Sequence, residues 1–329
     1  MEKLLTVVVP VYKVEQYINK CLESLVVPED QMERLEVLVI NDGTPDNSAI
    51  MAKEFEKIYP QTFKVIDKEN GGHGSAYNEG LELATGKYIR FLDSDDWFTT
   101  EQFSKFLTDL ETCDVDMVFT HINYYYVETD SYRLSPIKSV DFGKTYQVRD
   151  FDWVHSGNEL GMPLFHFCTY KTALMKPHLP MFVERVFYDD KILRFIPILE
   201  AETFTAFDYQ IYNYLIGRVG QTISSLNINH IDDSYKVLKE CADYTSQRDL
   251  NSQKLADYLN WQYTYLYGEY WGELSSIPYK KSKEKLERLH QLIKSTKGFH
   301  GYPKKMKLYE NLPFWLYRIC CKLISLRYK

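Results

Sequence analysis

Apolar runs and helical stripes alternate along the first third of the chain. Leu5 to Val11 (LTVVVPV) is apolar throughout and mostly β-branched, which predicts a strand covered on both faces. Pro10 within it removes a backbone donor, so this strand end is not an ordinary ladder position. Residues 15–26 then carry Ile18, Cys21, Leu22 and Leu25 at helical spacing. A second strand, Leu35 to Ile40, ends in Asn41-Asp42-Gly43. Asp46 stands where an N-cap belongs, and Pro60 ends the helix that follows. A short strand from Phe63 to Ile66 runs into a glycine-rich turn, and residues 75–84 read as helix. Tyr88 to Leu92 is again strand, Thr99 or Thr100 caps a helix to about Leu110, and Met117 to Tyr126 is strand. This alternation with short connections predicts an α/β fold, a mostly parallel Rossmann-like sheet flanked by helices.

The strand ends carry the polar chemistry. Tyr12, Asp42 and Asp67 each follow a strand, and the strand at 88–92 stops in Asp93, Asp95 and Asp96. A core does not accept unpaired carboxylates, and in open α/β sheets ligands bind beyond the carboxyl ends of the strands. Asp93 and Asp95 are two apart and share a face in extended chain, so both reach one cation. Oxygen donors suit Mn2+ or Mg2+, and a phosphate-bearing substrate suits the open coordination positions. Other nucleotide and hydrolase motifs fail. GGHGSAY lacks the third glycine of GxGxxG, and the chain contains no GxxxxGK[ST], HExxH or GxSxG.

Composition narrows the class further. The chain has 329 residues, 45% hydrophobic and 26% charged, an ordinary globular balance. Its six cysteines show no CxxC pair and read as reduced and structural, as in a cytosolic chain. The apolar start enters a strand–turn–helix pattern without a small-residue cleavage site, and no stretch has the length of a membrane span. The net charge of −7 is uneven: residues 280–329 hold 14 Lys/Arg against 3 Asp/Glu. That basic end fits either peripheral contact with an anionic membrane or pairing with the acidic body of the protein. The expected location is cytoplasmic, with the inner face of the cell membrane as a peripheral site. No nucleic-acid partner is expected.

The ordered set VVVPVYKVEQYI (7–18), VLVINDGTPDNS (37–48), ENGGHGSAYNEGLELATGKYIRFLDSDDW (69–97), FYDD (187–190) and YLIGRVGQTIS (214–224) resembles family 2 glycosyltransferases. These are inverting enzymes with the A-type nucleotide-sugar-binding fold. The resemblance implies that Pro10, Tyr12 and Glu15 lie beside the base and ribose, and that Asp42 accepts a hydrogen bond from the base, commonly uracil. It implies that Gly72, Asn78 and Gly80 shape the nucleotide pocket. Asp93 and Asp95 correspond to the metal-binding DxD acids, Asp95 the more direct ligand, with Asp96 nearer the sugar. Asp190 matches the catalytic base, Asp189 stands where Glu is common, and Arg218 lies near the donor phosphates. The absence of QxxRW separates the chain from processive synthases. The implied partners are a UDP-sugar donor and a glycan or lipid-linked saccharide acceptor, and a homo-oligomer stays open. Rival readings are a nucleotidyltransferase and a catalytically silent scaffold of the same fold.

Blander roles remain open for single residues. Asp42 fits an Asx-turn, Asn78 a helix surface, Asp189 and Asp190 a solvated helix start, and Arg218 a surface turn. His73, His121 and His166 have no ligand spacing and read as structural or surface residues. The pattern divides the chain into a nucleotide-sugar half at 1–127, an acceptor and base half at 128–228, and a helical basic region at 229–329. Trp153, Tyr188 and Tyr212 are candidate sugar-stacking faces. Phe204 to Leu215 reads as a strand pair or edge element.

Overall fold

The computed structural model describes residues 2–157, 165–218, 230–275 and 279–299, with Leu316 and Ile319. Residues 219–224 of the IGRVGQTIS stretch, the start of the apolar segment at 162–170, and nearly all of the basic tail after 299 lie outside the described residues. The chain forms two compact units, Met1–Gln221 and Thr222–Lys329.

The first unit is built on one ten-stranded sheet. Strands β1 (Leu5–Val11), β2 (Leu35–Asn41), β3 (Phe63–Asp67) and β4 (Tyr88–Phe91) lie in the order β3-β2-β1-β4, all parallel. Helices α1 (Ile18–Glu23), α2 (Glu29–Met32), α3 (Ser48–Ile58) and α4 (His73–Leu83) make the connections. Every residue of β1 is buried, as its unbroken apolar run requires. Gly80 on α4 lets the helix lie against β1, since a Cβ there would fall 2.2 Å from Val8 Cγ1.

Beyond β4 the sheet becomes mixed. β5 (Trp97–Phe98) and α5 (Thr100–Glu111) are followed by β6 (Met117–Tyr126), β7 (Ser131–Ser135), β8 (Tyr146–Gln147), β9 (Cys168–Lys171) and β10 (Thr203–Ile216). β9 is inserted antiparallel between β4 and β6. The aromatic run at 204–215 is neither a strand pair nor an edge. It lies within β10, a 14-residue strand between β6 and β5, with register shifts where its polar middle leaves the ladder.

Arg90 is fully buried in β4 and donates to Thr169 Oγ1 at 2.9 Å, Thr120 Oγ1 at 3.1 Å and the His166 carbonyl at 2.7 Å. Burial lowers its pKa to about 10. The guanidinium thus ties β4 to β6 and to the turn Phe165–Phe167.

The second unit contains helices Ile231–Ser246, Gln253–Ser275 and Tyr279–Ser295. Its aromatic stretch fills the unit's own interior: Tyr258, Tyr263, Tyr267 and Tyr270 are buried. Tyr263 donates to the Cys241 carbonyl, and the Tyr267 hydroxyl pairs with Thr296 Oγ1. Among the described residues no helix is long and apolar enough to cross a membrane.

Candidate active site

Parallel pairing brings the ends of β2, β1 and β4 side by side, so Asp42, Tyr12 and the acids after β4 line one edge of the sheet. Pro10 is buried opposite Ile40, while Tyr12 stands 43% exposed at the strand exit. Glu15 accepts from the Asn47 backbone and side-chain amides at 3.2 and 2.9 Å, and its own N–H donates to Asp46. It braces the first turn against the start of α3.

Asp42 is buried and holds the glycine turn in place. Its carboxylate accepts the Gly71 and Gly72 N–H groups, each at 2.8 Å, and pairs with Lys68 at 3.2 Å. Gly72 adopts φ +88° at the start of α4, a conformation that favours glycine. Gly74 has no room for a Cβ, which would fall 2.5 Å from the Val183 carbonyl and 3.0 Å from Asp189 Oδ2. Asn78 faces the same segment. Its Oδ1 accepts the Met181 and Phe182 N–H groups at 3.0 and 2.9 Å, and its Nδ2 donates to the Phe182 carbonyl. Asn78 therefore anchors the backbone leading to Asp189-Asp190, buried rather than on a helix surface.

The acids after β4 separate spatially. Asp93 Oδ1 accepts from the Tyr77 hydroxyl at 2.7 Å and lies 3.1 Å from His73 Nε2. Its Oδ2 lies 3.8 Å from His166 Nε2. Burial raises its pKa, but the contacts with His166 and His73 outweigh this and hold the carboxyl well below the usual range. Asp95 pairs with Arg218 Nε. Burial and the Asp93 charge raise its pKa in spite of that partner. Asp96, which the resemblance places nearer the sugar, is bonded within the protein. It is 2% exposed, and its oxygens accept from the Tyr212 hydroxyl at 2.7 Å and the Leu215 N–H at 2.8 Å. Its carboxylate braces β10. Burial, then the charges of Asp95 and Asp93, push its pKa well up.

The acids at 189 and 190 also divide. Asp189 is buried, and both its oxygens meet His73 Nδ1, at 3.0 and 3.2 Å. Asp190 is half-buried, and its carboxylate makes no hydrogen bond among the described residues. Burial and the neighbouring Asp189 raise its pKa, against the cations Arg194 and Lys191 and the ring of His166. His73 bridges the two groups. Burial lowers its pKa, but Asp189 and Asp93 outweigh that and raise it well above an ordinary histidine.

His73 and His166 are the residues that sequence spacing missed. Asp93 lies 20 residues from His73 in the chain, and Asp189 lies 116 from it, so no local period links them. Trp153 and Tyr212 correct the sugar-stacking expectation. Trp153 is wholly buried with Nε1 on the Val148 carbonyl, and Tyr212 is buried beneath the acids.

Asp93, Asp96 and His166 each offer a ligand atom, all within 4.8 Å of one another. His166 is buried with neither ring nitrogen hydrogen-bonded. A buried imidazole without a hydrogen bond beside two carboxylates fits a divalent cation.

The class follows from a parallel nucleotide-type half whose strand ends gather carboxylates, joined to a mixed half that adds a second acidic turn. The Glycosyl transferase family 2 model matches residues 6–175, over half of the sequence, and the chain belongs to that family. It is 36% identical over 161 residues to the putative glycosyltransferase EpsH of Bacillus subtilis (strain 168), a match covering 45% of each chain. It is 34% identical over 132 residues to the minor teichoic acid biosynthesis protein GgaB of the same organism, covering 40% of this chain and 15% of GgaB. These matches thus span less than half the length of either relative. S. aureus TarS 1-349, solved in complex with UDP-GlcNAc, shares the fold with a TM-score of 0.69 at 23% identity, over 89% of this chain and 81% of that one.

Proposed function

We propose that this chain is an inverting, metal-dependent glycosyltransferase. It moves one sugar from a UDP-sugar to a hydroxyl of a glycan or lipid-linked acceptor in surface polysaccharide synthesis. The observation that carries the reading is the contrast at 189–190. The Asp189 carboxylate is linked through the His73 ring to Asp93, and the carboxylate of the next residue, Asp190, has a raised pKa and no hydrogen bond among the described residues. The UDP-GlcNAc complex of TarS and the teichoic acid role in the name of GgaB support the donor and acceptor classes.

In this reading Asp190 takes the proton of the acceptor hydroxyl as its oxygen bonds to the anomeric carbon. The bond from that carbon to the diphosphate oxygen breaks on the opposite face, so configuration inverts and UDP leaves. Asp93, Asp96 and His166 would hold Mn2+ or Mg2+, with Asp95 as a further donor. When bound, the cation offsets the charge of the departing diphosphate. Arg218, whose planar guanidinium matches phosphate oxygens, exchanges Asp95 for the diphosphate. Tyr12 offers its exposed ring to the base, with Glu15 holding its turn, and Asp42 keeps the glycine turn open beside it.

The test is thermal melting of the full chain with UDP and Mn2+, with and without EDTA, followed by a nucleotide-sugar screen for UDP release. At a ligand concentration about 100 times Kd, binding stabilises by about 2.7 kcal/mol. Metal-dependent stabilisation by UDP is expected. Stabilisation that EDTA leaves intact would remove the metal from the reading, and no effect of UDP would overturn it.

A further inference from the structure

His73 lies between carboxylates from two distant parts of the chain, and each ring nitrogen meets a different one. Nδ1 contacts both oxygens of Asp189, and Nε2 contacts Asp93 Oδ1. The Tyr77 hydroxyl donates to the same Oδ1, and its ring stands edge-on to the His73 ring at 4.3 Å. Both partners therefore hold Oδ1 of Asp93. Oδ2 is left on the side of His166. On the other side of the ring, Asp189 precedes Asp190 at the start of the 3-10 turn Asp189–Arg194.

The local backbone is built for this contact. The glycine turn held by Asp42 starts α4 at His73, and Gly74 gives the 183–189 segment room to approach. The Arg185 N–H donates to the Gly71 carbonyl at 3.0 Å, a further link between the turn and the acidic segment.

We propose that His73 is a positioning residue that orients the metal-binding carboxylate of Asp93 and the Asp189-Asp190 turn through one ring. The inference rests on the function proposed above. An imidazole hydrogen-bonded to a ligand carboxylate directs one oxygen away from the cation and the other toward it. The same ring fixes Asp189 and so sets where Asp190 stands. Assembly of the cation site and placement of the base are thereby linked through a single side chain.

Two substitutions separate the arms. Asn is short, so His73→Asn keeps an amide near the Nδ1 position and loses the reach to Asp93. Gln is longer, so His73→Gln carries its amide out to the Nε2 position and loses the grip on Asp189. The readouts are Mn2+ titration, with Mn2+ alone, by electron paramagnetic resonance and amide hydrogen exchange over 181–190, both on the full chain. Because outer partners of a metal ligand are worth roughly 10–100-fold in affinity, His73→Asn is expected to weaken Mn2+ binding by that factor while exchange over 181–190 stays as in wild type. His73→Gln is expected to keep Mn2+ affinity within about threefold and to speed exchange over 181–190 about tenfold or more. Tyr77→Phe removes only the second donor to Oδ1 and is expected to weaken Mn2+ binding without changing that exchange. Equal effects of the two His73 variants on both readouts, or no effect on either, would overturn the inference while wild-type Mn2+ binding keeps the proposed function standing. A wild-type chain that binds no Mn2+ would overturn both.

Discussion

The acids at 93–96 and those at 189–190 are both clustered carboxylates, yet the protein answers their charge differently. After β4 the acids are all partnered. Asp93 meets Tyr77, His73 and His166, Asp95 meets Arg218, and Asp96 meets Tyr212 and Leu215. In the 189–190 turn, the Asp189 carboxylate is held by His73, and the Asp190 carboxylate keeps a raised pKa with no hydrogen bond among the described residues. Charge compensated by several donors suits a fixed binding site, because its geometry is set before the ligand arrives. An acid with a raised pKa and no donor suits proton transfer, because nothing competes with the incoming hydroxyl. Under the proposed function, the first group binds and the second does the acid–base work.

The largest effect expected to sharpen this division comes from Asp190→Asn. Loss of a general base should lower the transfer rate about 10²–10⁴-fold, with UDP and Mn2+ binding unchanged by calorimetry. Full transfer by a folded Asp190→Asn chain would break the assignment. A pH profile tests the same residue. A base with a raised pKa is protonated, and so inactive, below it. The rate should therefore rise with pH through a value above that of an ordinary aspartate, and this acid limb should vanish in Asp190→Asn.

Asp93→Asn should act oppositely. It should abolish the Mn2+-dependent part of stabilisation by UDP in a melting assay, about 2.7 kcal/mol at a hundredfold excess over Kd. Loss of rate with metal-dependent stabilisation intact would place Asp93 with the base instead.

The smallest effect on metal binding and transfer concerns the anchor between the two groups. Asn78→Ala leaves the Met181 and Phe182 N–H groups without their acceptor. Each buried group left unsatisfied costs about 1–3 kcal/mol, measurable in denaturant. The lost anchor should also speed hydrogen exchange over 181–190 while Mn2+ affinity holds. Weakened Mn2+ affinity at unchanged exchange would contradict the anchoring role.

Much of the first half of the fold was legible because it is written locally. Unbroken β-branched runs at 5–11 and 35–40, helical stripes between them and acids at the strand exits specify a parallel α/β layout by period and polarity alone. Asp93 and Asp95 were visible for the same reason, as carboxylates placed where a core would reject them, whereas Asp190 was singled out only through the resemblance carried by FYDD. The mixed half was less legible. β9 enters antiparallel beside β4, and β10 lies inside the sheet, through pairings between strands far apart in the chain that no period encodes.

Sequence by itself determined the strand ends, the acids that follow them and the family to which those motifs point. Tertiary structure alone decided how the acids are used. It bonded Asp96 to β10 beside Asp93 and His166, directed Asn78 to the 181–182 backbone and brought His73 and His166 to Asp93 from 20 and 73 residues away. A residue's type limits which bonds it is able to make, and that limit is local. Its partner depends on which backbone segments the sheet draws together, and a pairing over such distances leaves no trace in the spacing of either residue.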